Sequence, residues 1–188
     1  MVVIYPEVTA GNPLNAKRIV RWVMNEPGHF GVGDEVFDES ELIVSYKEQF
    51  DRSIKNKIDC HLELPVIDKT FMFDSSIEKT DITVYTGKNK NPDLSLVSHY
   101  DNLLTRTSPS RNELTQIIKR TKTLYSFDNT TAVIDEARLN GCNVILIPDG
   151  TLHSFNDDKF GDVGISWISD PKYWSSDEIA KHSIAKLQ

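Results

Sequence analysis

The sequence predicts an α/β chain whose second half is a doubly wound parallel sheet. Two observations predict it. From residue 82 onward, short apolar runs alternate with segments of helical period, the pattern of successive strand–helix–strand units. The run "NVILIPDG" (143–150) is apolar without alternation, as an interior parallel strand is when both its faces are covered.

The elements follow in order. "VVIY" (2–5) reads as a short buried strand stopped by Pro6, and "VTAGNPL" as a loop. A helix is expected from Asn12 or Leu14, on Ile19, Val20, Trp22, Val23 and Met24, to a stop at Pro27-Gly28. "LIVSY" (42–46) reads as a strand, and "CHLELPVI" (60–67) as an edge or connector limited by Pro65. Residues 68–81 read as a polar link, which divides the chain into segments 1–81 and 82–188. "ITVYTGK" (82–88), "LLTRT" (103–107), "TLYSF" (123–127), "NVILIPDG" and "ISWI" (165–168) are the expected strands of the second segment. Between them lies a helix with a capping box at Ser110 and Glu113 and a buried stripe of Leu114, Ile117 and Ile118. A further helix, "TTAVIDEARLN", is closed by Gly141, and a last one begins near Ser175 or Ser176.

The bulk numbers narrow the function classes. A chain of 188 residues with 39% hydrophobic content can pack a core. A formal charge of −7 disfavours nucleic acid and anionic membranes as main partners, although a local basic pocket can still hold a phosphate. Cys60 and Cys142, far apart and in apolar runs, read as buried free thiols of a cytoplasmic protein. No apolar run approaches the ~18 residues of a spanning helix, and no signal peptide is evident.

The stretch "DNTTAVIDE" carries the candidate chemistry. Ligands of open parallel sheets bind at the carboxyl ends of the strands. Asp128 ends one strand, and the next helix is expected at about Asn129-Thr130, its first amides able to hold a phosphate with the hydroxyls of Thr130 and Thr131. Glu136, two turns on, can accept two vicinal hydroxyls, as from a ribose. The same residues also fit a plain reading, with Asp128 or Asn129 an N-cap and Glu136 an exposed helix former.

"LYSFDNTTAVIDEARLNGCNVILIPDG" resembles the donor-binding half of GT-B glycosyltransferases of the retaining family-four pattern: acid-x7-acid, then Ala, then Gly-x-Pro/Cys-Val, the last part met here with one shift in character. Here these are Asp128, Glu136, Ala137, Gly141 and Cys142-Asn143-Val144. "IYPEVTAGNPLNAKRIVRWVMNEPG" is similar to a segment of bacterial polysaccharide glycosyltransferases of the rhamnan-synthesis kind. "VYTGKNKN" resembles the opening strand of the donor half. The resemblance implies a Rossmann-like nucleotide-sugar-binding domain over 82–188, preceded by a remnant of the acceptor domain. It implies sugar transfer from a nucleotide-sugar donor to a polysaccharide or glycan acceptor, with no metal or cofactor beyond the donor. Asp128 would lie near the transferred sugar as the catalytic acid and Glu136 on the ribose. Lys88, after Gly87, would neutralise the diphosphate with help from Arg106 or Arg111, and Thr130 and Thr131 would donate to it. The implied partners are donor, acceptor, and a homodimer or a chain that completes the missing sheet. Two other readings stand beside this one: a nucleotide-sugar-binding module without turnover, and a flavodoxin-like domain whose acids are structural.

Remaining candidates are weaker. His61 and Glu63 alternate on one strand face, but two groups make a poor metal site. His153 follows a strand end and reads as a loop residue. Ser126 and Ser154 lack a nucleophile elbow, and "GKNKN" is not a Walker loop. The glycines of "GDVGISWISD" fit turn geometry, and Trp22 fits a core face.

Overall fold

The computed structural model describes residues 1–28, 31–46, 48–62, 69–107, 109–129, 131–148 and 163–185. It consists of two compact units, Met1–Pro65 and Val66–Gln188, each built on an all-parallel sheet. Glu63, Thr130, His153 and Ser154 lie outside the described residues.

The first unit has four strands in sequential order: β1 (Val2–Pro6), β2 (Arg18–Val23), β3 (Leu42–Ser45) and β4 (Cys60–His61). The helix expected over this first stretch is instead β2. Its β-branched Ile19, Val20 and Val23 favour extended backbone, and its side chains follow a period of two. Register places Tyr5, Arg21 and Ile43 on one sheet face and Ile4, Val20 and Leu42 on the other. The first face is covered by Phe37 and Ile54, which pack with Val23 and Ile43. On the second face Val2, Ile4 and Leu42 are exposed.

Arg21 organises the covered face. It is fully buried and makes a two-pronged ion pair with Glu41, 2.8 Å from Nε and 2.9 Å from Nη2. Its remaining donors reach the carbonyls of Thr9 (2.6 Å) and Gly11 (3.0 Å) in the loop after β1. Its guanidinium carbon lies 5.3 Å from the Tyr5 ring centre and 5.0 Å from that of Phe37. In the loop itself, Asn12 accepts from the Ala16 amide and donates to the Ala16 carbonyl.

The second unit has strands β5 (Asp81–Tyr85), β6 (Asn102–Leu104), β7 (Thr121–Ser126), β8 (Asn143–Leu146) and β9 (Ile165–Trp167). Their order across the sheet is β6-β5-β7-β8-β9, all parallel. Numbered within the unit this is 2-1-3-4-5, one of the two common doubly wound orders. Helices α1 (Arg111–Arg120), α2 (Ala132–Leu139) and α3 (Ser176–Ala185) complete it. The capping box of α1 is present, and Ser175 with Glu178 forms a second one on α3.

Leu124, Val144 and Leu146 face α1 and α2, packing with Ile118, Val133, Ile134 and Ala137. On the opposite face, Val84, Phe127 and Ile147 pack against Leu94, Val97 and Tyr100. Among the described residues that cover is a 3-10 turn (Leu94–Leu96) and its flanks, not a helix. The β5–β6 connection therefore departs from a regular strand–helix–strand unit.

The stretch expected to be a polar link belongs to the second unit and sends Phe71 into its core. Phe71 is fully buried there, its carbonyl taking a bond from Asn140 Nδ2. Lys79 donates to the carbonyls of Ile118, Lys119 and Thr121 at 3.2, 2.8 and 3.2 Å, closing the end of α1. Gly141 ends α2 with φ +78°, and a Cβ there would lie 2.5 Å from the Ser176 carbonyl oxygen. No helix among the described residues is long and apolar enough to cross a membrane.

Two predictions follow from these contacts. Arg21→Met, which strands the Glu41 carboxylate, lowers stability by about 3–5 kcal/mol. Arg21→Met/Glu41→Leu recovers most of that loss, as read by denaturant unfolding through Trp22, the sole tryptophan of Met1–Pro65. The two thiols differ as well. Burial pushes Cys142 up to about 11, so in the folded chain it stays protonated and unreactive to a disulfide reagent through pH 9. Cys60, which is exposed, is labelled at once.

Candidate functional site

The strand order reverses between β5 and β7: the chain leaves β5 toward β6 on one side and β7 toward β8 on the other. Such a switch point leaves a crevice at the carboxyl ends of its two strands. The ladder runs to that edge, with Phe127 N bonding Tyr85 O and Ile147 N bonding Ser126 O, each at 2.9 Å.

After β5 the backbone turns over Thr86–Asn89, closed by Asn89 N to Thr86 O at 3.0 Å. Gly87 takes φ +52° in this turn. A Cβ on it would lie 2.3 Å from Asp128 Cβ, so the turn lies directly against the Asp128 side chain. Lys88 then meets Asp128 twice: its backbone amide donates to Oδ2 at 3.1 Å, and its Nζ lies 3.5 Å from Oδ1. The Asp128 side chain is 4% exposed and the Lys88 side chain 39%. The carboxylate is thus buried and the lysine side chain partly exposed. Ser126 Oγ, considered as a nucleophile, instead donates to the Asp128 carbonyl at 2.8 Å and supports the strand end.

Helix α2 starts later than the sequence suggests. Thr131 is its N-cap, its hydroxyl accepting from Val133 N at 3.4 Å and lying 3.5 Å from the Tyr85 hydroxyl. Asp128 and Asn129 are therefore not the cap. Asn129 Nδ2 donates to Ile147 O at 3.3 Å, while its buried Oδ1 has no partner among the described residues. An unpaired buried acceptor at a strand end leaves a place for a ligand hydroxyl or N–H.

Glu136 is buried in α2 rather than presented to the crevice alone. Arg111, the first residue of α1, donates to it from Nη1 at 2.9 Å and Nη2 at 2.5 Å. Both carboxylate oxygens are engaged, so Glu136 is not the open diol acceptor expected from its spacing. The helix register hid this pairing, because the partners lie 25 positions apart. Arg106 is exposed. The structure thus brings together Gly87, Lys88 and Asp128, sets Thr131 at the α2 cap, and places Glu136 with Arg111.

Elsewhere, His61 Nε2 is 2.8 Å from Asp51 Oδ2. Among the described residues no three His, Cys, Asp or Glu side chains cluster as metal ligands. A groove of about 620 Å³ runs along α1, lined by Thr70, Pro109, Asn112, Gln116 and Lys119. It includes none of Lys88, Asp128 or Glu136, and its open, shallow lining offers no convergent chemistry.

Comparison with known protein families, with curated proteins and with solved structures finds no match to this chain.

The close approach of Gly87 gives a prediction. Gly87→Ala forces both a left-handed alanine and a collision with Asp128, and lowers stability by about 2–4 kcal/mol in denaturant unfolding. Gly11→Ala, at a similar φ of +55° with nothing within 4 Å, is the control and costs only about 1 kcal/mol.

Proposed function

We propose that the Val66–Gln188 unit binds a nucleotide-sugar at the β5/β7 crevice and serves sugar transfer to a glycan acceptor, as in the donor half of a GT-B glycosyltransferase. One observation carries this reading: the Gly87-Lys88 turn and Asp128 meet where the strand order reverses. In this reading the partly exposed Lys88 side chain neutralises the diphosphate as it leaves, which is where charge develops in sugar transfer. The first amides of α2, beyond the Thr131 cap, add the positive end of the helix dipole. Asp128, held against the turn, faces the sugar side, and the unpaired Asn129 Oδ1 takes a sugar hydroxyl.

A second reading has its own support. Asp128 is bonded by Lys88 and Glu136 by Arg111, so both acids also serve as structural partners. Calorimetric titration of the full chain with UDP, GDP and dTDP separates the two. The binding reading expects one diphosphate to bind, and Lys88→Ala to weaken it about tenfold, or ~1.4 kcal/mol. Absence of binding to all three diphosphates leaves the acids structural.

A further inference from the structure

The sheet of Met1–Pro65 exposes one edge and part of one face together. Its strands follow in sequential order, β1-β2-β3-β4, all parallel. Crossovers between parallel neighbours are right-handed, so a chain that always steps the same way returns each time over the same face. Phe37 and Ile54 lie on that covered face. On the other, Ile4, Val20 and Leu42 are neighbours in register, with Ile4 62% exposed and Leu42 44%.

That row runs out to the edge at β1. Among the described residues β1 pairs with β2 alone, and the backbone of Val2–Tyr5 makes no bond outside that ladder. Alternate amides and carbonyls of the strand therefore point away from the sheet. The other three sheet edges of the chain are short: β4 has two residues, and β6 and β9 have three each. β1 has five, VVIYP, with no charge and with proline only at its end. Folded chains avoid an open edge of that length and composition unless a further strand occupies it.

The charges around β1 select the strand. Lys17 and Arg18, both exposed, sit at its amino end, where Arg18 is the register partner of Val2. Past its carboxyl end Gly33 lies against Glu7 and Val8, and Asp34 accepts from the Gly11 amide, which brings Asp34 and Glu35 beside Glu7. Lys55 answers Glu35 at 3.3 Å, and Glu7 and Asp34 remain in excess. β1 thus runs from a basic end to an acidic one. A second copy laid antiparallel sets basic against acidic twice about one two-fold axis, whereas a parallel copy sets like against like. The axis stands perpendicular to the sheet, so each face continues across the junction. On the open face Ile4 then meets the second copy's Ile4 or Val2.

We propose that the β1 edge is a self-association surface, through which two copies of this chain join antiparallel and merge their four-stranded sheets into one. The pairing consumes the edge it needs, and β4 at the opposite edge is too short to propagate it, so the assembly closes at a dimer. A five-residue junction buries less than the ~1,600 Å² of a standard interface, so the dimer is reversible. This surface is independent of the nucleotide-sugar reading.

Sedimentation velocity of the full chain between about 10 and 500 μM reads the association. Wild type is expected to pass from monomer to dimer and no further. Ile4→Lys brings two lysines to the junction and is expected to weaken association about tenfold or more, as is Ile4→Glu. Mixed together, the two variants are expected to form the heterodimer, which also shows that both fold. Leu42→Lys lies on the same exposed face but on β3, two strands in from the edge, and is expected to stay within about twofold of wild type. The proposal is overturned if wild type stays monomeric throughout or grows beyond a dimer, if Ile4→Lys associates within about twofold of wild type, or if the mixed variants fail to restore the dimer. It is also overturned if Leu42→Lys weakens association as much as Ile4→Lys does, since packing of faces rather than pairing of strands would then hold the copies.

Discussion

Parallel strands cannot be joined by a tight turn. Each connection must return the chain along the whole strand before the next one begins. Every consequence in both units descends from that constraint. The return paths carry backbone amides and carbonyls that no ladder pairs, and those groups must be satisfied by something. In Val66–Gln188 helices α1 and α2 satisfy most of their own. Among the described residues of Met1–Pro65 the return paths hold no α-helix, and side chains take over. Arg21 holds two loop carbonyls, Asn12 caps its own turn, and Asn56 pairs with both the amide and the carbonyl of Phe37. The buried charge of Arg21 is thus the organising group of a sheet whose described connections hold no α-helix.

In Val66–Gln188 two ion pairs follow a common plan. Lys88 over Asp128 and Arg111 over Glu136 each set a buried acid beneath a more exposed base. The acids hold the bases in place, and the bases are what solvent sees. A chain with a formal charge of −7 can in this way present cations locally, because the relevant quantity is which member of each pair is outermost.

Most of the strands were legible because their signals are local. The runs at 2–5, 42–46 and 82–85 read directly, as did the Ser110–Glu113 box and the Gly141 stop. The strand β2 was not legible. Its four apolar residues satisfy a helical stripe as easily as a strand, and the Arg21–Glu41 pair that anchors the strand joins partners 20 positions apart. Phe71 was lost in a polar stretch because the short run Phe71-Met72-Phe73 carries no helical or strand period. At the site, the meeting of Gly87-Lys88 with Asp128 could be anticipated from the rule for switch points. The Arg111–Glu136 pair could not, since it depends on which faces two helices turn toward each other.

Gly141 shows how closely such a fold can bind distant choices together. Its left-handed backbone ends α2, and the space its missing side chain leaves is filled by the Ser176 carbonyl at the start of α3. One position thus answers to two demands of different kinds, conformational and spatial. A second-site suppressor that moved α3 aside would still leave the wrong backbone angle. One that relaxed the angle would still leave the collision. In genetic terms the residue has no single-step escape, and a lineage that lost it would need two coordinated changes to regain the packing of α2 against α3.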